Sequence, residues 1–242
     1  MDFFRSKTEF LWTVLRNCPL CGATWPPKNW LCLDCEQQLY RMFLEPEAMS
    51  WTEERRLKVY SLLDWQRGET SDQFLSRLIY SLKGGELKKA WRGLALEFLS
   101  RWQRQAQQGS YRSGELLGQN ILLIPAPPAQ KGDKDHALEF SRALGDLLDA
   151  PVWRGLRRTH PTGKGWVQKR LGRFQRGQLQ LERDPGRCFP SQLEGRWFVF
   201  VDDLITSGST ARAARAALSG LKKQDFLCWT LLRRSLPEKP TT

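Results

Sequence analysis

Residues Trp197–Ala211 read W-F-V-F-V-D-D-L-I-T-S-G-S-T-A. Five apolar residues run directly into Asp202 and Asp203, and a hydroxyl-rich run around Gly208 follows before an alanine-rich stretch begins. A short, wholly apolar run bounded by polar residues is what a strand covered on both faces requires, and such strands belong to parallel sheets. The alanine-rich Ser209–Lys223 is expected to be a helix. The stretch therefore reads as strand, acidic pair, glycine loop, helix.

The same alternation extends in both directions. Ile121–Ile124 is a second apolar run, closed by Pro125-Ala126-Pro127-Pro128, and Asp135–Leu148 has helical periodicity. Val152–Leu156 is expected to be a strand, and Phe226–Leu232 another. Towards the N-terminus, helices are expected over 1–17, 36–44, 53–63 and 70–104, the last broken by Gly84-Gly85. Gln105–Gly118 is polar and glycine-containing, so it reads as a surface connection. Strands alternating with helices argue for an α/β fold with a parallel sheet and flanking helices. The expected divisions are 1–50 (N-terminal helix and cysteine cluster), 51–118 (a helical hood) and 119–236 (the α/β domain).

Ligands of open parallel sheets bind beyond the carboxyl ends of the strands. There, a loop opening a helix offers backbone N–H groups and hydroxyls to a phosphate, and Gly208 lets the backbone approach closely. Asp202 and Asp203 can accept hydrogen bonds from a ribose 2′,3′-diol while the 5′-phosphate sits in the loop. No G-x-x-x-x-G-K or G-x-G-x-x-G pattern occurs, which excludes a P-loop and a dinucleotide fingerprint.

V-F-V-D-D-L-I-T-S-G-S-T (199–210) resembles the phosphoribosyl-pyrophosphate (PRPP) loop of type I phosphoribosyltransferases. Together with two N-terminal CxxC pairs it resembles the ComF family, the competence-associated phosphoribosyltransferase-like proteins. Tyr80-Ser81-Leu82-Lys83-Gly84-Gly85 and Leu123-Ile124-Pro125-Ala126-Pro127 are similar to two further elements of that family. The resemblance implies a type I phosphoribosyltransferase-like sheet. Within it, Asp202 and Asp203 would hold the ribose hydroxyls and serve the chemistry. Leu204, Ile205, Thr206, Ser207, Gly208, Ser209 and Thr210 would complete the PRPP site, with Mg²⁺ bridging pyrophosphate and ribose oxygens. Two segments depart from the family pattern. Lys134-Asp135-His136-Ala137-Leu138 stands where R-G-F-N-Q is usual, and 162–170 matches a later glutamine- and arginine-containing segment only loosely. Both belong to the part expected to organise pyrophosphate and the second substrate.

Cys18, Cys21, Cys32 and Cys35 form two CxxC pairs within eighteen residues. Zinc favours four thiolates arranged tetrahedrally, and two CxxC turns facing one another close the site, so structural Zn²⁺ is expected. A thioredoxin-like role would need a single CxxC heading a helix in a βαβ unit. Cys188 and Cys228 have no partners at ligand spacing, and Cys228 is expected in the core.

The net charge is +12 and unevenly spread. Arg154–Arg187 holds ten Lys and Arg against Glu182 and Asp184, a net of +8. Such a field draws polyanions or phosphorylated small molecules. With Trp153, Trp166 and Phe174 nearby, it suits single-stranded DNA, since cations track phosphates and rings stack bases. The N-terminal residues lack the apolar region of a signal peptide and no run is long enough to span a bilayer, so a cytoplasmic location is expected. Lys131, Lys134 and the basic segment 154–176 could stabilise a leaving pyrophosphate, whereas His136 and His160 read as helix-start or loop residues.

These readings lead to a ComF-like protein that binds PRPP and acts in natural transformation, on incoming single-stranded DNA. Its expected partners are that DNA and a competence helicase or other protein of the uptake machinery. Two alternatives stand beside it: an active phosphoribosyltransferase of nucleotide or salvage metabolism, and a regulator that senses PRPP.

Overall fold

A computed structural model describes residues 16–18, 20–25, 31–44, 50–54, 57–65, 72–84, 90–107, 121–128, 135–159, 180–187, 189, 196–219 and 226–234. The main sheet has five strands: β3 (Ser50–Glu54), β4 (Leu57–Trp65), β5 (Ile121–Pro125), β8 (Trp197–Ile205) and β9 (Phe226–Arg234). Their spatial order is β3-β4-β9-β8-β5. Four of them, β4, β9, β8 and β5, run parallel, and β3 is an antiparallel edge on β4. The strand expected at Val152–Leu156 is realised differently. Val152 makes a parallel bridge to Leu123 on the outer side of β5, and β6 (Leu156–Thr159) leaves the sheet to pair with β7 (Gln180–Arg183).

The apolar runs are explained by this architecture. Successive strand residues face opposite sides of a sheet, and both sides are covered. Leu123, Val199, Val201, Leu227 and Trp229 enter one apolar cluster, and Leu122, Ile124, Phe198, Phe200 and Cys228 enter the other. The first cluster is capped by α2 (Asp72–Gly84), α3 (Ala90–Gln107) and α4 (His136–Leu148), the second by α5 (Ser209–Leu218). The centre of the first cluster is aromatic. Phe98 meets Phe140 edge-on with ring centroids 5.8 Å apart, and Trp229 lies 5.3 Å from Phe98 and 5.2 Å from Trp102. The interior is thus an α/β sandwich in which a parallel sheet separates two helical layers.

Three local expectations are corrected. Within 53–63 the described residues are not helical: 53–54 end β3 and 57–63 belong to β4. Leu57, Tyr60 and Ser61 fall at helical spacing, yet Leu57 and Val59–Leu63 are all buried, and β4 is hydrogen-bonded to β9 along its length. Burial on both faces selects the strand. The sheet therefore draws β4 and all of β3 but Ser50 from 51–118 and its other strands from 119–236, so the hood region is not wholly helical. Arg16 and Asn17, expected to end a helix, form β1, which pairs antiparallel with β2 (Thr24–Trp25). Residues 1–15 lie outside the described residues, as do 108–120. No helix among the described residues is long and apolar enough to cross a membrane.

Candidate functional site

The chain runs from β5 through α4 to the Val152 bridge on one side of β5, and later returns as β8 on the other. That reversal makes the carboxyl ends of β5 and β8 the switch point of the sheet, where a crevice opens between diverging connections. The sequence places its acidic pair there. Asp202 and Asp203 belong to β8 itself, which continues to Ile205, and Asp202 stands opposite Thr230 of β9. On the other side, the backbone N–H of Ala126 donates to the Val201 carbonyl at 2.8 Å. The Pro125–Pro128 segment is thereby held alongside the acids.

The Asp202 carboxyl is electrostatically strained. Burial holds the Asp202 carboxyl well above the usual carboxylate range, and the negative Asp203 and a hydrogen bond with it add to the rise. The Asp203 N–H, donating to Asp202 Oδ1 at 3.0 Å, and the Arg158 guanidinium act in the opposite sense. The buried Cys228 thiol is also raised, first by burial and then by Asp202. Two adjacent carboxyls of which one resists ionisation form a site prepared for a cation or for the hydroxyls of a diol. Arg158 ties this corner together, because its Nε also donates to the Pro127 carbonyl at 3.0 Å.

Beyond Ile205 the chain turns sharply into α5. Gly208 is the N-cap residue at φ 66° and ψ 11°, a left-handed conformation that glycine takes without Cβ strain. It supplies no capping side chain, and the first-turn closure comes from Arg212 N–H to the Gly208 carbonyl at 3.0 Å. The leading N–H groups of a helix have no intrahelical acceptor, and the helix dipole concentrates positive potential there. Thr206, Ser207 and Ser209 are exposed around this turn, with the Ser207 and Ser209 hydroxyls 3.1 Å apart. Arg212 leans over the loop: a Cβ on Gly208 would lie 3.2 Å from its guanidinium. The structure therefore brings Asp202, Asp203 and Leu204–Thr210 into one continuous strand–loop–helix unit.

The second cluster is at the N-terminus. Cys18 and Cys21 occupy the β1–β2 hairpin, whose turn is closed by Gly22 N–H to the Cys18 carbonyl at 2.8 Å. Cys32 and Cys35 sit at the start of α1 (Leu33–Leu44). All four sulfurs lie within 4.8 Å of one another, with Cys21 and Cys32 3.5 Å apart. Four zinc–sulfur bonds of about 2.3 Å would set sulfurs about 3.8 Å apart, so the donor set fits a tetrahedral metal ion. Burial, followed by the neighbouring sulfurs, pushes Cys35 up, and burial also raises Cys32. At Cys18 burial acts upward too, but hydrogen bonds from Cys32, Cys21 and Leu20 bring it down to about 7. Four thiols this close cannot all ionise unless a cation neutralises them. Cys18, Cys32 and Cys35 belong to the same apolar cluster as Phe98 and Trp229, so the knuckle is a wall of the core.

The structure separates other expected contributors. Trp153 is buried and packs edge-on against Phe189 at 5.1 Å, with its ring against Gly155, so it is a core residue rather than an exposed platform for a base. His136 opens α4 with its ring stacked on Trp91 at 6.1 Å. Within the basic segment, Arg154 meets Asp135, Arg157 meets Glu182 and Arg187 meets Asp184. Much of the described positive charge is thus balanced locally. Lys131, Lys134, His160, residues 162–170, Trp166, Phe174 and Cys188 lie outside the described residues. Sequence reasoning missed Arg212 as a site residue, although it falls one helical turn after Gly208. It placed Arg158 only within a basic segment; its relation to Pro127 and Asp202 exists only in the fold. No protein-family model matches the chain, and no curated protein matches it either.

Proposed function

We propose that this protein binds PRPP with Mg²⁺ on a type I phosphoribosyltransferase-like sheet and acts, like the ComF proteins it resembles, on incoming single-stranded DNA in the cytoplasm during natural transformation. The observation that carries the reading is the unit Asp202–Ser209 at the switch point: paired carboxyls, then exposed hydroxyls and unshared helix N–H groups. A ribose diol is recognised by carboxylate acceptors, and a 5′-phosphate by amides and hydroxyls at a helix start. The cysteine knuckle holds Zn²⁺ as a structural ion and takes no part in this recognition.

A second reading, an active phosphoribosyltransferase, is favoured by one feature. A pocket of about 130 Å³ beside Pro125–Pro128 is bordered by Arg154 and Arg187, cations that could turn to a departing pyrophosphate in exchange for their partners Asp135 and Asp184 in the same lining. Calorimetric titration with PRPP and Mg²⁺, repeated on Asp202→Asn/Asp203→Asn, tests the site; unchanged binding by that variant would refute it. Pyrophosphate release with a nucleobase would move the assignment to the second reading. Affinity for single-stranded DNA that falls steeply with salt, without such release, would favour the first.

A further inference from the structure

A groove of about 600 Å³ runs along α5 between that helix and the β6–β7 hairpin. One wall is the stripe Ser209, Arg212, Ala213 and Ala216, whose spacing places all four on one face of the helix. The opposite wall is formed by Thr159 of β6 and by Gln180, Leu181 and Glu182 of β7. The groove begins at Ser209, a member of the proposed 5′-phosphate loop, and continues down the helix beyond it. A PRPP molecule, whose 5′-phosphate is a terminal monoester, would leave this space unused. Its volume falls within the range of roughly 300–1,000 Å³ that small-molecule sites occupy.

We infer that the groove receives the preceding nucleotide of a single-stranded nucleic acid whose phosphodiester sits on the Thr206–Ser209 loop. The inference rests on the reading of that loop as a phosphate site and names the polymeric ligand it would accept. Charge decides the class of occupant. Arg212 stands where loop and groove meet, and no carboxylate partner for it occurs among the described residues. The one acid on the hairpin wall, Glu182, is held by Arg157 at 2.6 Å. The junction therefore presents a cation towards a phosphate while the nearby carboxylate is neutralised. Ala213 and Ala216 leave the floor low enough for a sugar-phosphate chain. The lining given above contains no aromatic side chain, so recognition is through the backbone and tolerant of base sequence.

The test uses the full chain with its metal, a fluorescent single-stranded oligothymidylate, and PRPP with Mg²⁺ as separate ligands. Ala216 is exposed, so Ala216→Phe fills the groove and Ala216→Glu opposes phosphate without disturbing the core. Both variants are expected to weaken oligonucleotide binding about tenfold or more while PRPP binding stays within about twofold. Arg212→Gln is expected to reduce the salt dependence of oligonucleotide binding by about one phosphate contact. Excess PRPP should displace the oligonucleotide, because both claim the same phosphate position. Unchanged oligonucleotide affinity in both Ala216 variants, with PRPP still bound, would overturn the groove and leave the loop reading standing. Equal loss of both ligands would also overturn it, since the groove would not then be separable from the loop. If the parent protein fails to bind PRPP, the loop reading itself is what falls.

Discussion

The cysteine knuckle and the acidic-hydroxyl loop are both clusters of chemistry-bearing side chains, yet the fold treats them oppositely. The knuckle has three of its four cysteines buried in the same apolar cluster as Trp229, and its donors face one another. One metal ion would complete it. The loop has its hydroxyls exposed, its helix N–H groups without a capping side chain, and an acid pair of which Asp202 is held against its ordinary ionisation. A bound ligand would complete that. The contrast is one of exposure: the first cluster turns its polar atoms inward on one another, and the second leaves its hydroxyls open to solvent.

The contrast breaks most readily at the knuckle. Removing the metal with a strong chelator should lower the melting temperature by at least about 10 °C, because structural zinc supplies binding energy that is also folding energy. Metal analysis before chelation should give about one equivalent of zinc. A melting temperature indifferent to chelator would place the knuckle outside the cooperative core.

Trp229→Ala sharpens the boundary between the two regions. The ring touches Phe98 and Trp102, and its residue pairs with Val201, one position before Asp202. Denaturant unfolding should show a loss of about 3–5 kcal/mol, as for other large buried aromatics. PRPP affinity should hold within about threefold if packing and recognition are separate.

At the acid pair the expected signs for stability and binding are opposite. The raised Asp202 pKa means that the folded state holds its proton more tightly than the unfolded state does. Its contribution to stability is therefore present below the ordinary carboxylate pKa and is lost as pH rises through the higher folded value. Urea unfolding across pH should show this decline in the parent and a flatter curve in Asp202→Asn, with the variant the more stable at neutral pH. PRPP binding should strengthen over the same rise, because acceptance from a diol or Mg²⁺ requires the ionised form, and the variant should lose about a hundredfold in affinity. A variant less stable than the parent at neutral pH would contradict the strain assigned to the pair.

The smallest effect is expected at Gly208→Ala. A Cβ at φ 66° costs on the order of 1 kcal/mol and would press on the Arg212 guanidinium. A stability loss of that size with a several-fold weaker phosphate affinity would fit; tighter binding would not.

Local chemistry was enough to locate the parts. The spacing of Cys18, Cys21, Cys32 and Cys35, the apolar run before Asp202 and the glycine among hydroxyls each specify their structure within a few residues, because turn geometry, burial and φ preference act over that range. The identity of 53–63 was not legible in this way. Its residues satisfy both helical spacing and a buried strand, and the choice was made by β9, whose backbone pairs with β4 from the far end of the chain. The clamp of Asp64 on Arg233, with two contacts at 2.6 and 3.1 Å, joins the same two strands and has no sequence signature. The surroundings of the acid pair were decided at that level too. Arg158 reaches Pro127 and the field of Asp202 only because the β6–β7 hairpin folds back over the switch point. What the sequence determined by itself was the set of groups with unsatisfied chemistry; what only the tertiary structure decided was which of them meet, since burial and long-range pairing, not spacing, bring them within hydrogen-bonding distance.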